Sequence, residues 1–143
     1  MKWNPWLAQM ARGVGNLHAV LFRAFGGTPL LGRNVLVLTT RGRRSGDEHS
    51  TALFYVEDGG KLYVVASFGG SDTPPGWYRN LLKTPEVGVE TASARGRYRA
   101  RSLAPADAAP IWPKLLALWP AYADYQKRTT RTIPVVELAP LSA

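Results

Sequence analysis

Apolar and polar positions along the chain fall into three regimes. In residues 1–26, Leu17, Val20, Leu21 and Ala24 recur at i, i+3, i+4 and i+7, with Val14 and Phe25 beside them. That spacing lays an apolar stripe along a helix, and Gly26-Gly27 ends it. The middle is built of short runs rich in β-branched and aromatic residues: Asn34–Thr40, Ser50–Glu57, Lys61–Phe68, Val87–Thr91 and Arg97–Leu103. Each reads as a strand. Asp58-Gly59-Gly60 is a hairpin signal between the second and third. The Gly- and Pro-rich stretch Gly69–Gly76 reads as a loop, and Trp77–Lys83 as a short helix that stops before Pro85. The last third turns helical again. One helix opens at Pro105-Ala106-Asp107 and runs to Leu118, Trp119-Pro120 breaks it, and a second covers Ala121–Thr129. Thr132–Leu138 reads as a final strand, with Pro134 suited to its start or to an edge. Strands joined by hairpins rather than by regular crossover helices predict an antiparallel sheet or barrel, not a doubly wound sheet. Residues 1–27 are set apart as an amphipathic helical segment, and 28–143 form the β domain.

Length fits this picture, since 143 residues suit one domain with its own core. The chain has no Cys, which excludes a disulfide framework, a zinc-thiolate site and a thiol nucleophile. Residues 1–26 hold Lys2 but no apolar core followed by a small-residue cleavage site, so no signal peptide is read and a cytoplasmic protein is expected. Trp3, Trp6, Phe22 and Phe25 give the segment two readings: a helix packed on its own domain, or one resting peripherally on the inner face of the cell membrane.

Charge changes the picture. The formal net charge is +8, which favours an anionic partner. Part of that charge lies where the apolar run Val35–Leu38 ends, at Arg41, Arg43 and Arg44 between Gly42 and Gly46. A Gly-flanked turn can aim several N–H groups at one point, Arg adds bidentate donors, and Ser45 adds a hydroxyl. These are parts of a phosphate grip without a Walker pattern; they also suit a solubilising hairpin. Arg95, Arg97, Arg99 and Arg101 alternate along one strand and share one face. That stripe reads as a polyanion-binding face or as the wet side of an antiparallel sheet. Ala66-Ser67 followed by Phe68-Gly69-Gly70 closes a strand with small residues that would let a flat ligand approach the backbone or simply make an ordinary turn. Gly76-Trp77 opens a helix, a natural anion site. Trp119, Tyr122 and Tyr125 make an aromatic group suited to a planar ligand or to the core.

Acid–base and metal chemistry are poorly represented. His18 and His49 stand in unrelated contexts, carboxylates do not cluster, and no metal motif or strand-borne G-x-G-x-x-G is present. An enzyme of this composition would take its chemistry from a cofactor.

Four motifs occur in order: T-T-x-G-R-x-S-G, A-S-x-G-G, P-x-W-Y-x-N and Y-x-x-Y-Q…T-x-R-x-I-P-V-V. Together, from about Leu31 to Pro140, they resemble the deazaflavin-dependent nitroreductases, or F420H2-dependent quinone reductases. The resemblance implies a split β-barrel of the flavin-reductase type, with flanking helices. It implies reduced coenzyme F420, with FMN as the alternative. It implies hydride transfer to a small-molecule acceptor: a quinone, an enone or a nitroaromatic. Arg43, Arg44 and Ser45 match the phosphate- and tail-binding turn. Ser50, Thr51, Ala52, Leu53 and Phe54 match the strand beneath the ring, and Val65, Ala66 and Ser67 the next strand's contacts. Gly76, Trp77, Tyr78, Arg79 and Asn80 match the helix-start phosphate contacts. Trp119, Tyr122 and Tyr125 match the substrate wall, Tyr122 also touching the cofactor. Tyr122, Tyr125 or Ser67 would donate a hydrogen bond or proton to the acceptor. His49 stands where an Arg is familiar and Phe68 where a Lys is, both at expected cofactor contacts. No metal and no nucleic acid are expected, and the assembly is a monomer or homodimer. The other readings are a non-catalytic binder of F420 or a fatty-acid-like ligand on the same barrel and, more distantly, a basic nucleic-acid binder.

Overall fold

A computed structural model describes residues 34–141, apart from the Phe68 side chain. The expected helix over residues 1–26 lies outside the described residues. Seven strands follow one another as β1 (Val35–Arg41), β2 (Glu48–Phe54), β3 (Val56–Asp58), β4 (Lys61–Val65), β5 (Glu86–Glu90), β6 (Arg95–Ser102) and β7 (Val135–Pro140). Four helices are α1 (Gly76–Lys83), α2 (Pro105–Ala108), α3 (Trp112–Leu118) and α4 (Ala121–Lys127), and a 3-10 turn covers Phe68–Gly70. Every strand pairing is antiparallel, as expected.

The sheet order is β2-β1-β5-β6-β7-β4-β3. β2 and β3 therefore occupy opposite edges, although Tyr55 alone separates them in sequence. That is possible only because the sheet curls until its edges nearly meet. Tyr55 is the corner, and its N–H donates to the Asn34 carbonyl at 2.9 Å. The expected single strand Ser50–Glu57 is thus two strands with different partners: β2 pairs with β1, and β3 with β4. The expected helix from Pro105 to Leu118 is also two helices. Pro110 lies between them, and Pro113 fits the first turn of α3, where its missing N–H costs nothing. The last strand begins at Val135 rather than Thr132, since Ile133 N–H is held by Gln126 Oε1 at 2.8 Å instead of a ladder bond.

Period-two alternation sends the strand side chains into two cores. Leu36, Leu38, Leu62, Val64, Val87, Val89, Val136 and Leu138 fill the inside of the curl, and Leu81 of α1 closes it. Tyr63, Val65 and Val135, on the opposite face of β4 and β7, pack with Ile111, Leu115, Tyr122 and Ile133 from the helical third. Burying a Leu or Val in such a core contributes about 1.5–3 kcal/mol each.

The Arg stripe on β6 faces acidic neighbours. Arg97 bonds Glu86, Arg101 bonds Glu137, and Arg95 stands opposite Glu90 in the β5 register. The stripe is thus largely matched within the sheet, in keeping with an outer antiparallel face. Glu137 is 8% exposed, accepts from Tyr63 Oη at 3.3 Å and from Arg101 at 3.4 Å, and lies 3.6 Å from Lys61 Nζ. Burial alone would raise its pKa, but the Arg101 and Lys61 cations and the tyrosine hydroxyl hold it below the reference 4.5. A lowered folded-state pKa adds stability above the unfolded value, and that stability is lost as pH falls through the folded one. Glu137→Gln should therefore be less stable at pH 7. Its thermal midpoint should also fall less between pH 4.5 and 2.5 than that of the native chain, as read by circular dichroism melts.

Candidate active site

The β1–β2 turn is built from its own polar groups. Gly42 N–H donates to Asp47 O at 2.6 Å, Gly46 N–H to Gly42 O at 2.9 Å, and Asp47 N–H to Ser45 Oγ at 3.1 Å. Gly46 takes φ +78, which few other residues adopt. At Gly42 a Cβ would lie 3.0 Å from both His49 Nε2 and Ser45 Oγ, so the turn closes tightly there.

What holds this turn is Asn80 of α1, which is 5% exposed. Its Oδ1 accepts from Arg43 N–H at 3.2 Å and from Arg43 Nη1 at 3.0 Å, while its Nδ2 donates to Thr40 Oγ1 at 3.1 Å. Lys83 Nζ adds a bond to Arg43 O at 2.7 Å. Two segments nearly forty residues apart in sequence become one wall. Arg43 fixes that wall through its N–H and Nη1, and also lines the cavity beside it. Arg44 is exposed and engages no other described residue. No side chain caps α1; Tyr78 N–H bonds Pro75 O at 3.1 Å, which leaves the Gly76 and Trp77 N–H groups of the first turn without an acceptor among the described residues.

Two adjoining cavities follow. One of about 390 Å³ is lined by Gly42, Arg43, Arg44, Ser45, His49, Ser50, Thr51, Gly76, Trp77 and Asn80. The next, about 330 Å³, is lined by Thr51, Leu53, Val65, Ser67, Pro75, Gly76 and Trp77. Thr51, Gly76 and Trp77 border both, so the cavities run together from a cationic end to a mostly apolar one. The second lies between β2 and the end of β4, where the curled sheet stays open.

The remaining expected residues scatter by strand parity. Ala52 and Phe54 share the other face of β2 with Ser50, whose hydroxyl lies 2.8 Å from Thr39 Oγ1. Phe54 stacks on Trp119 at 5.1 Å. Ala66 is buried and Arg79 exposed. Tyr78 turns inward, its hydroxyl 2.8 Å from Ser102 Oγ. Trp119 Nε1 donates to Tyr125 Oη at 3.3 Å, and Tyr122 meets Tyr125 edge-on at 6.1 Å. Neither tyrosine lines the two joined cavities. Tyr122 is in the helical core and borders a separate cavity of about 220 Å³ with Trp112, Leu116 and Ile133. Burial and the neighbouring Tyr125 push its hydroxyl up to about 12, making it a poorer acid than a free tyrosine. Of the three expected donors, Ser67 alone lies at the joined cavities.

Backbone, not ligand, approaches Gly70. A Cβ there would sit 2.5 Å from Tyr125 O, so α4 fills the space that sequence reading reserved for a flat ligand. Sequence reasoning gave no role to Thr40, Lys83 or Arg131. All three act through bonds across more than thirty-five residues; Thr40 and Arg131 stand in the four sequence motifs, but their partners are set by tertiary placement.

The arrangement can bind an anion at one end and a planar, mostly apolar group at the other. Among the described residues no cluster of metal-ligating side chains occurs. The profile of the F420H(2)-dependent quinone reductase family matches residues 17–140. An F420H2-dependent quinone reductase of Mycobacterium tuberculosis is 33% identical over 136 residues, covering 85% of this chain and 87% of that protein. A second, putative one from the same species is 37% identical over 108 residues, covering 73% and 88%. A solved F420-H2 dependent reductase has 34% identity and a TM-score of 0.68, covering 74% of this chain and 94% of that one. The fold alone extends further, for example to a putative pyridoxamine 5'-phosphate oxidase of Listeria innocua at 16% identity and TM-score 0.53. The curled, incompletely closed antiparallel sheet is the split β-barrel expected from sequence.

Proposed function

The chain belongs to the F420H(2)-dependent quinone reductase family, and from that premise we propose that its joined cavities bind reduced coenzyme F420 and deliver hydride to a quinone, enone or nitroaromatic acceptor. The continuity of the cationic and apolar cavities through Thr51, Gly76 and Trp77 carries the reading. Such a space fits one ligand with a flat ring and a charged extension. Arg44, Ser45 Oγ and the Gly76 and Trp77 N–H groups at the start of α1 would hold the phosphate and anionic tail. Thr51, Leu53, Val65 and Trp77 would enclose the ring and exclude water from it. The bound coenzyme supplies the hydride. Ser67 Oγ, at the apolar cavity, would hydrogen-bond the acceptor and orient it against the ring. Arg79 and Lys83, exposed on α1 near the anionic end, suit a ligand with more negative charge than the single phosphate of FMN.

Trp77 borders both cavities, so binding should quench its fluorescence. F420 should quench the native chain with micromolar affinity, more tightly than FMN, and Trp77→Phe should lose most of the signal. Quenching by FMN but not by F420 would reverse the cofactor assignment. Finer expectations belong to the same reading. A solved chain described as a domain-swapped dimer, 34% identical with TM-score 0.68, favours a homodimer over a monomer. No described helix is long and apolar enough to cross a membrane. Peripheral membrane contact would run through the apolar stripe and aromatics of residues 1–26.

A further inference from the structure

Arg131 lies outside both joined cavities, yet its guanidinium binds three backbone carbonyls. Nε donates to Ser71 O at 2.7 Å, Nη1 and Nη2 both to Ala66 O at 3.2 Å, and Nη2 to Ser67 O at 2.8 Å. Its own segment is pinned in turn, since Gln126 Nε2 donates to Arg131 O at 2.8 Å and Thr129 Oγ1 to Asp72 Oδ1 at 2.6 Å. One planar cation thus fixes the two peptide planes that follow Ala66 and Ser67.

Peptide geometry turns this into a statement about the site. The bonds are trans, so the N–H after each carbonyl points the opposite way. With the Ala66 and Ser67 carbonyls drawn to Arg131, the N–H groups of Ser67 and Phe68 point away from it. Ala66 N–H is used by Pro134 O and Gly70 N–H by Ser67 O. Of the three N–H groups between them, those of Ser67, Phe68 and Gly69, none has an acceptor among the described residues; the first two are the ones turned from Arg131, at the point where Ser67 lines the apolar cavity. Lysine would not do the same, because an ammonium lacks the planar fork that spans three carbonyls.

We propose that Arg131 is a positioning residue, which holds the Ala66–Phe68 backbone so that the Ser67 and Phe68 N–H groups face the apolar cavity as paired donors to the carbonyl-bearing edge of a planar ring. The inference rests on the ring-binding reading of that cavity. It makes ring recognition depend on Arg131 and separates it from anion recognition, which depends on Arg44.

The probes are F420 and the phosphate-free deazaflavin riboside, which carries the ring but neither phosphate nor tail. Arg131→Lys should weaken both by the same factor, about tenfold for the lost charge-assisted bonds. Arg44→Ala should weaken F420 alone. In the native chain, adding the riboside should shift the Ser67 and Phe68 amide resonances and slow their hydrogen exchange. This measurement needs no variant to fold. If Arg131→Lys melts earlier but binds the riboside at native affinity, or if the riboside binds without moving those amides, Arg131 is only a structural brace. If the native chain binds neither probe, the reading of the cavity itself falls. If both bind and only the Arg131 comparison is flat, the cavity reading stands without this role.

Discussion

Asn80→Ala should cost about 2 kcal/mol of stability and weaken F420 binding by well over tenfold, the larger of the expected effects on affinity. Removing the carboxamide strands the buried Thr40 hydroxyl and releases the Arg43 backbone and guanidinium together. A buried polar group left without its partner costs about 1–3 kcal/mol. The affinity loss has a different origin: the β1–β2 turn would no longer be held against the start of α1, and the anion donors on the two sides would lose their common aim. Asn80→Asp separates the effects. It keeps an acceptor for Arg43, and so much of the stability, but sets a negative charge beside the anionic ligand. Thermal melts paired with fluorescence titrations should show the alanine variant impaired in both and the aspartate variant mainly in binding. Native affinity in both variants would mean that the clamp does not shape the site.

Gly70→Ala should be the most destabilising small substitution in the described residues, at about 3 kcal/mol, or about 10 °C in thermal midpoint. Gly70 has φ +83, where any Cβ is strained, and that Cβ would lie 2.5 Å from Tyr125 O and 2.9 Å from Tyr125 Cα. Both neighbours are backbone of α4, so the helix must shift rather than a side chain swing aside. Gly69→Ala is the internal control: its φ is +63 but its surroundings are open, leaving only the backbone strain of about 1–2 kcal/mol. Equal melting losses in the two variants would show that the approach of α4 carries no weight.

These two positions also show where sequence reading reaches its limit. Strand identities, antiparallel pairing and the hairpin at Gly59-Gly60 were legible because alternation and turn chemistry are local. The corner at Tyr55 was not, because nothing in Phe54-Tyr55-Val56 departs from a strand pattern; only the exchange of partners across the sheet breaks it. The split of the third-region helix could have been read from Pro110 and Pro113. The Arg-rich turn and the helix start at Gly76 were each visible as anion-binding parts, and the fold brings them to one cavity. Asn80 was named as a ligand contact and lines the cationic cavity, but its bonds to Thr40 and Arg43 are set by tertiary placement and could not be read locally. Gly70 shows the converse: the demand for a small residue was read correctly, but the neighbour was α4.

The sheet order has a consequence for synthesis. β7 is the last of the described strands to be made, yet it stands in the interior, with β6 on one side and β4 on the other. Until Val135–Pro140 leaves the ribosome, this sheet can exist only as two separate ribbons, β2-β1-β5-β6 and β4-β3, with apolar edges uncovered. A chain cut short before Val135 would not lose a peripheral tail; it would lose the plank that joins the two halves.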